Sequence, residues 1–354
     1  MRLSTLLWLL VATATANGQN KTEQLDITTP RASAEGALVS ALHTATIATT
    51  NLEASLLFYR DGMGLVAEGP IELGPEARAA QRALWAMPDD LGWDLWLLRR
   101  EGVEQAIQIQ LLVLDRPVPA IHRSWNSLEL GPFSLGFPNT RQAALDAQLR
   151  RLGFGAQAPM SEYGVARPDG SSYAIQETIF NGPDFVKGVG IFRGGDMPQL
   201  SPVDPDTGMG GPGYSAQIVS DGDETISFFT EFLDFEVRAD REWTTSGALG
   251  APAGTTYRFM IIYAKGASSR HLLLLAYLNA EAIDTGVPRR LPHRGMGMWS
   301  FEVADLDAMI DRAKAAGVTI TGARSCYESP HLGDHCAITV HSPDGFLIEL
   351  FEPR

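Results

Sequence analysis

The chain has 354 residues, of which 45% are hydrophobic and 20% are charged. This composition supports a buried core and excludes a disordered or fibrous protein, and the length favours two domains at roughly 150 residues each. The net charge of −14 and the absence of a lysine or arginine cluster argue against a nucleic-acid partner, because a negative surface repels a polyanion. Two cysteines are too few for a cysteine-rich zinc module.

The N-terminus has the pattern of a secretory signal peptide. An arginine is followed by the apolar run 6–12 and by the small residues Ala14 and Ala16. This order predicts cleavage after Ala16, which removes 1–16. An uncleaved membrane anchor is the alternative, but the run is too short to cross about 30 Å of hydrocarbon. We therefore predict an exported protein, periplasmic or secreted, with no membrane partner after cleavage and a flexible lead-in at 17–36.

The two cysteines, Cys326 and Cys336, are separated by turn-forming residues. A Ser-Pro and a Gly-Asp pair between them predict a β-hairpin with one cysteine on each arm. In an exported protein the expected state is a disulfide, which would stabilise the fold by roughly 2–3 kcal/mol. A metal-binding or nucleophilic role for the two thiols is the alternative.

Segments of two kinds occur twice in the chain. The first kind is a strand followed by a capped helix that ends in an aromatic pair, and the two pairs lie 170 residues apart, at Phe58-Tyr59 and Phe228-Phe229. The second kind is a strand and a helix, repeated after 164 residues. Both copies then reach a Pro-Asp-Gly turn and a strand, at 168–170 and 343–345. The agreement of these offsets predicts a tandem duplication with domains at 37–185 and 212–354, joined by a Gly- and Pro-rich linker at 186–211.

These motifs resemble the vicinal oxygen chelate superfamily, which includes glyoxalase I, bleomycin-resistance proteins and extradiol dioxygenases. The best-matching stretch is 342–352, where Pro-Asp-Gly leads into a strand, and 42–44 with 51–55 is nearly as similar. The resemblance covers about 37–180 and 212–354. It implies an α+β fold of two tandem glyoxalase-like domains. Each would be a pair of βαβββ modules that form a curved, cavity-bearing sheet, whose concave face holds a small molecule.

The resemblance also implies positions for metal ligands, because metal-using members place His, Glu or Gln on cavity-facing strands. In the first domain these positions give His43, Gln110 and Gln176, where His43 requires one extra residue in the following turn. The alternation of side chains along the last strand supports Gln176 and places Glu177 on the opposite face. A neutral set of donors binds a divalent cation weakly. We therefore expect either no cofactor or a weakly held divalent metal ion.

The corresponding positions of the second domain are Tyr214, Leu274, Met298 and Glu349. One carboxylate cannot hold a metal ion alone, so this cavity is expected to bind an organic molecule or nothing. The expected substrate-binding residues around Glu349 are Tyr214, Met298 and Trp299. In such an apolar cavity, burial would raise the pKa of Glu349 and suit it to general acid–base catalysis. The alternative is a polar remnant of a metal site that is hydrogen-bonded within the cavity.

Two functions of different classes follow from these observations. The loss of metal ligands favours an exported protein that binds a small aromatic or carbonyl-bearing molecule in a concave cavity. The alternative is a metal-assisted lyase, isomerase or dioxygenase-type enzyme of the same superfamily, and a scaffold with filled cavities is a third reading. The sequence has no Gly-x-Ser-x-Gly, phosphate-binding glycine loop or His-Glu-x-x-His motif, so it assigns no catalytic mechanism. The sequence is compatible with an oligomer.

Overall fold

The structure is a computed structural model, and it describes residues 36–103, 105–125, 128–166, 170–245, 247 and 251–354. The predicted signal peptide at 1–16 and nearly all of the predicted lead-in at 17–36 lie outside the described residues. Among the described helices, none has the length and apolar character that a membrane span requires.

The described chain forms four modules, each of which consists of a strand, a helix and three further strands. The first module contains β1 (Thr44–Thr49), α1 (Leu52–Leu56), β2 (Val66–Ile71), an additional helix α2 (Pro75–Leu84), β3 (Trp93–Arg99) and β4 (Gln108–Leu114). The second contains β5 (Gly131–Pro138), α3 (Gln142–Arg151), β6 (Ser161–Ala166), β7 (Ser172–Asn181) and β8 (Lys187–Arg193). The third contains β9 (Tyr214–Val219), α4 (Gly222–Ser227), β10 (Phe235–Thr244), β11 (Thr256–Ala264) and β12 (His271–Tyr277). The fourth contains β13 (Gly295–Glu302), α5 (Leu306–Ala315), β14 (Ile320–Ser329), β15 (Gly333–His341) and β16 (Leu347–Pro353).

Short polar side chains start three of the module helices. Asn51, Asp221 and Asp305 each accept a hydrogen bond from a backbone N–H two or three residues further on. These bonds satisfy N–H groups that lack a partner in the first helical turn. The helices α1 and α4 then continue as π-helical turns that bury the predicted aromatic pairs, Phe58-Tyr59 and Phe228-Phe229. The sequence predicted these helix starts and aromatic ends correctly.

The strands of the described chain form two eight-stranded sheets. One has the order β14-β15-β16-β13-β1-β4-β3-β2, and the other has the order β10-β11-β12-β9-β5-β8-β7-β6. We call the first the outer sheet, because it combines the first and fourth modules, and the second the inner sheet, because it combines the second and third. The opening strands join the modules by antiparallel pairing, β1 with β13 and β5 with β9. The predicted fold class, curved sheets each built from two βαβββ modules, is confirmed.

The pairing of the modules differs from their order in the chain. The predicted domains at 37–185 and 212–354 each contain two consecutive modules, whereas each sheet combines one module from each half. The repeat reveals similar modules but does not reveal which opening strands pair. The two sheets share one hydrophobic core, which includes Ile47 and Phe301 from the outer sheet and Leu135 from the inner sheet. Burial of these helix-covered faces against each other therefore ties the two sheets together.

Each sheet has a separate apolar cluster on its other, concave face. Along β1, for example, Ala45 and Ile47 belong to the shared core, while Ala48 belongs to the concave cluster of the outer sheet. The concave cluster of the inner sheet includes Tyr214 and Ile191. The period of two along each strand thus decides which side chains reach a cavity.

The predicted hairpin and disulfide are present. Cys326 on β14 and Cys336 on β15 are directly opposite each other in the antiparallel ladder, and their sulfur atoms lie 2.02 Å apart. The disulfide therefore links the two strands at one edge of the outer sheet.

The predicted last strand of the first domain is wrong. The Pro-Asp-Gly at 168–170, of which 168 and 169 lie outside the described residues, stands between β6 and β7, and the strand that closes the second module is β8. The turn that leads into β8 contains Asp184, which takes the place of Asp344 in the fourth module. Each aspartate contacts the hydroxyl residue at the end of an opening strand, Thr49 for Asp184 and Ser220 for Asp344.

The strand β8 occupies part of the predicted linker at 186–211, so the linker boundary is also wrong. The glycines of this segment suggested a flexible connector in the sequence. In the structure they allow β8 to pack closely against neighbouring side chains. A Cβ atom on Gly188 would lie 2.5 Å from the Met63 methyl group, and one on Gly190 would lie 2.8 Å from a Leu145 methyl group. The connection between the second and third modules therefore begins after Arg193.

Candidate functional site

The outer sheet holds Glu349 on its concave face, in strand β16. The indole N–H of Trp85 donates to one carboxyl oxygen over 2.9 Å, and the Ser300 hydroxyl donates to the other over 2.8 Å. Burial raises the pKa of Glu349, and these two hydrogen bonds oppose the shift. Both oxygens are therefore engaged by protein groups, in agreement with the reading of Glu349 as a polar group hydrogen-bonded within the cavity.

Side chains fill the concave face of the outer sheet. Helix α2 lies against β14, and Leu84 and Trp85 at its C-terminal end are buried together with Met298 and Phe351. Met298, predicted to contact a substrate, is fully buried in this cluster. The outer cavity is thus closed by the helix that the first module carries in addition to α1.

The three predicted metal ligands do not meet. His43 precedes β1 and lies beside Phe351, and Gln110 on β4 accepts a hydrogen bond of 3.0 Å from Thr46, so both belong to the outer sheet. Gln176 lies on β7 of the inner sheet, where it donates to Glu162 at the surface. The prediction of one site from these three residues is wrong, because it relied on the misassigned last strand and on chain-order pairing of the modules.

The predicted substrate-binding residues are also separated. Tyr214 lies on β9 of the inner sheet and is not a neighbour of Glu349. Trp299 faces the shared core, and its indole N–H donates to the Ser215 hydroxyl over 3.1 Å. Trp299 therefore supports the contact between the sheets rather than a cavity, because it alternates with Met298 along β13.

The donors on the outer sheet do not fit the divalent metal ion that the resemblance implies. The Glu349 carboxyl is engaged by Trp85 and Ser300, and the Gln110 carbonyl is engaged by Thr46. Burial, with smaller effects of Arg270 and another histidine, lowers the pKa of His43 to about 3. In the part of the chain that the structure describes, no three His, Cys, Asp or Glu side chains are grouped so that they could hold a metal ion.

The inner sheet carries a second carboxyl group on its concave face. Glu177 on β7 is opposite Ile191 of the concave cluster, and it accepts a hydrogen bond of 3.0 Å from the Tyr163 hydroxyl on β6. Burial raises the pKa of Glu177, and the Tyr163 hydrogen bond opposes part of this shift. Glu177 nevertheless remains half-buried, so it is accessible from the concave face. The prediction that Glu177 lies on the face opposite the cavity is wrong.

Stacked rings continue the concave face towards the other edge of the inner sheet. The His271 ring lies between those of Tyr214 and Tyr263, with ring centroids 5.2 Å and 4.8 Å apart. The Arg238 guanidinium lies over the Tyr263 ring, 4.1 Å from its centroid. Burial, together with the charges of Arg193 and Arg238, lowers the pKa of His271 to about 3. His271 is therefore neutral at physiological pH and can accept a hydrogen bond.

The ring of Tyr214 lies across the sheet because β5 has a glycine beneath it. A Cβ atom on Gly136 would lie only 1.8 Å from the Tyr214 ring. Any larger residue at this position would therefore displace the ring. The arrangement brings Tyr214 within electrostatic range of Glu177, Tyr163 and Arg193.

More aromatic side chains form a rim around this face. Trp243 on β10 is 43% exposed, and its ring centroid is 5.5 Å from that of Tyr257 and 6.3 Å from that of Phe259. The buried Tyr257 hydroxyl has no hydrogen-bond partner among the described residues. A concave face with aromatic side chains and a few polar groups is suited to a small organic ligand. We call Tyr163, Glu177, Arg193, Tyr214 and His271 the inner cluster.

Comparison with known protein families identifies the second half of the chain. Residues 211–350 match the sequence model of the Glyoxalase/Bleomycin resistance protein/Dioxygenase superfamily. This part of the chain belongs to that superfamily. The resemblance to the vicinal oxygen chelate superfamily is thereby confirmed. No curated protein matches the sequence significantly.

Solved structures extend the likeness of fold to the whole described chain. A variant of glyoxalase I from Zea mays is similar with a TM-score of 0.58 and 13% identity, over 88% of this chain and 94% of that chain. Glyoxalase I from Zea mays itself has a TM-score of 0.56 and 12% identity, over 88% and 92%. A putative dioxygenase from Bacillus subtilis has a TM-score of 0.51 and 13% identity, over 90% and 86%. At these identities the comparison shows a shared fold, and activity is not inferred from it.

Sequence reasoning missed the inner cluster apart from Tyr214. The alternation of β8, which places Lys187, Val189, Ile191 and Arg193 on one face, was hidden by its glycines. The Pro-Asp pair at 183–184 was the available sequence feature, because it corresponds to the Pro-Asp pair at 343–344. Aligning these two pairs would have placed β8 as the closing strand and β7 beside it, with Glu177 facing inwards.

Proposed function

We propose that this protein binds a small aromatic or carbonyl-bearing molecule on the concave face of the inner sheet. The observation that carries the proposal is the half-buried Glu177, which is hydrogen-bonded to Tyr163 and within electrostatic range of Tyr214, on the face of the sheet opposite the shared core. The outer sheet offers no comparable space, because Trp85 and α2 occupy its concave face. The fold of the superfamily is compatible with such ligand binding.

The chemistry of the inner cluster favours a ligand with a ring and a polar oxygen. Tyr214 and the rim residue Trp243 offer aromatic surfaces for stacking. Because burial raises the pKa of Glu177, its carboxyl group can keep a proton and donate it to a carbonyl oxygen. The binding of such a ligand uses side chains that are already in place and requires no metal ion.

Binding can be measured by isothermal titration calorimetry with acetophenone and benzaldehyde as probes. We expect Tyr163→Phe and Glu177→Ala to weaken binding roughly three- to tenfold, the usual effect of losing one hydrogen bond. Gln176→Ala is the matched control, because Gln176 is adjacent in β7 but faces the surface. Wild-type affinity in both cluster variants, together with loss of binding in Glu349→Gln, would instead locate the ligand on the outer sheet.

An acid–base enzyme is the second candidate, and Glu177 is the residue that favours it. A carboxyl group with a raised pKa, hydrogen-bonded to Tyr163, can serve as a proton donor to a bound carbonyl compound. NMR spectra of the probes incubated with protein would show whether a product forms. Turnover that is lost in Glu177→Gln while binding remains would support catalysis, and unchanged probes would leave binding as the function.

We also propose that the protein acts outside the cytoplasm. The signal-peptide pattern at 1–16 and the Cys326–Cys336 disulfide support this localisation. Fractionation of the native host, followed by N-terminal sequencing, tests it. Recovery of the full-length chain in the cytoplasm would contradict it.

A further inference from the structure

The inner cluster contains a charged side chain that has no charged partner among the residues that the structure describes. Arg193 ends β8, and its Nη1 atom donates only to the Pro198 carbonyl oxygen, over 3.4 Å. Its Nε atom is buried and has no partner among the described residues. Glu177 is a diagonal neighbour on β7, but the two side chains do not form an ion pair. A half-buried guanidinium in this state retains most of its capacity to bind an anion.

A second guanidinium adds positive charge on the same face. Arg238 on β10 lies over the Tyr263 ring and donates from Nη2 to the Ala267 carbonyl oxygen, and its buried Nε atom has no partner in the described part of the chain. Its ion pair with Glu236 is long, at 3.6 Å, and the Glu236 side chain is 41% exposed. Water screens such an exposed pair, so Glu236 offsets little of the charge inside the cavity.

Both guanidinium charges act on His271, which lies between Tyr214 and Tyr263 on this face. The charges of Arg193 and Arg238 both contribute to the lowered pKa of His271. Arg193 also acts on Tyr163, Tyr214 and Tyr263. Burial disfavours the charged form of Glu177, so this carboxyl group offsets less of the two positive charges than an exposed carboxylate would.

We propose that the ligand of the inner sheet carries a carboxylate group, which Arg193 binds with support from Arg238 while the aromatic part lies against Tyr214. This inference rests on the proposed function and adds the chemical class of the ligand. The planar guanidinium matches a carboxylate in geometry and can bind it through two parallel hydrogen bonds. A protonated Glu177 would not repel the anion and could donate a hydrogen bond to a second oxygen of the ligand.

Calorimetry with benzoate and benzamide tests the proposal, since the two probes share the ring and differ in charge. We expect the wild-type protein to bind benzoate at least roughly tenfold more tightly than benzamide. Arg193→Gln should abolish this preference, and a circular dichroism spectrum identical to that of the wild-type protein would show that the variant is folded. Arg193→Lys should restore only part of the preference, because an ammonium group lacks the planar fork.

The matched control is Arg241→Gln on β10. Arg241 is exposed, and its guanidinium lies 5.2 Å from the centroid of the Phe259 ring. Its substitution should leave the preference for benzoate intact. Equal affinity of the wild-type protein for benzoate and benzamide would overturn the inference and leave the proposed function in place. Absence of binding of benzoate, benzamide and the neutral carbonyl probes would overturn both.

Discussion

Glu129 provides a quantitative test of how this fold holds the segment beside the inner sheet. Glu129 is buried, with only 5% of the residue exposed. It accepts hydrogen bonds from the Arg123 backbone N–H over 2.8 Å and the Ser124 hydroxyl over 2.7 Å, and it lies 3.4 Å from His122. Burial alone would raise the pKa of Glu129, but hydrogen bonds from His122, Ser124 and the backbone lower it to about 2.

The substitution Glu129→Gln removes the charge and keeps the shape. A lowering of the pKa from 4.5 to about 2 corresponds to about 3 kcal/mol of native-state stability at neutral pH. Partial access of water to the cluster reduces this to about 1–3 kcal/mol. The loss includes the effect on Lys187, since burial lowers the pKa of Lys187 to about 7 and the charge of Glu129 opposes that shift.

The sign of the pH dependence follows from the lowered pKa. The contribution of Glu129 is present above pH 4.5 and is lost as the pH falls through about 2. Urea unfolding at several pH values should therefore show a gap between wild type and Glu129→Gln that is present at pH 6 and shrinks in acid. Glu68→Gln is the control, because Glu68 forms an exposed pair with Arg99. A gap for Glu129→Gln that does not change with pH would refute this reasoning.

Four further outcomes are expected. Gly345→Ala should destabilise the protein by about 1 kcal/mol in urea unfolding, because its φ of +74° strains a residue with a Cβ atom, although that atom would clash with nothing. Gly164→Ala is the control, because a Cβ atom there is equally unobstructed and φ is not positive, so stability should not change. Because burial raises the pKa of Glu177, the stability that its protonated form contributes is lost as the pH rises. Glu177→Gln should therefore be more stable than wild type at pH 8 and not at pH 4. An equal difference in unfolding free energy at both pH values would contradict this. Intact-mass measurement of the exported protein should give a chain that begins at Asn17 with both cysteines oxidised, and free thiols in unreduced protein would count against it. Elemental analysis should find no stoichiometric metal, and a full equivalent that disappears in Glu349→Gln would contradict the donor argument.

The sequence predicted the modules well because their local features are strong. The capping residue Asn51, the aromatic pair Phe58-Tyr59 and the Pro-Asp-Gly turn at 343–345 all act within a few residues of the chain. Hydrophobic periodicity and turn chemistry are properties of the sequence alone, so they indicate strands and helices directly. The disulfide between Cys326 and Cys336 was predictable for the same reason, because one hairpin brings the two residues together.

The site was not predictable because it depends on pairing over long distances. The residues Glu177 and His271 come from different modules, and only the pairing of β5 with β9 brings those modules into one sheet. Local propensities do not distinguish this pairing from the pairing of consecutive modules within each half. A shift in the assignment of one strand was enough to exchange Gln176 for Glu177, since adjacent side chains face opposite sides of the sheet.

The two concave faces have diverged through small structural differences. In the outer sheet, the additional helix α2 brings Trp85 over the sheet, and its indole N–H satisfies the buried carboxyl of Glu349. In the outer sheet, Glu349 pairs with Ser300 of the neighbouring strand. In the inner sheet, the residue of β8 that pairs with Gly136 of β5 is the apolar Val189, so this position carries no carboxyl group. The polar groups lie instead nearer one edge of the sheet, at Glu177 on β7 and Tyr163 on β6. A carboxyl group that is already hydrogen-bonded and covered has little to offer a ligand, whereas a half-buried guanidinium with no charged partner among the described residues gains from binding an anion. The difference in covering, more than the difference in residue types, therefore favours the inner sheet as the place where this protein meets its ligand.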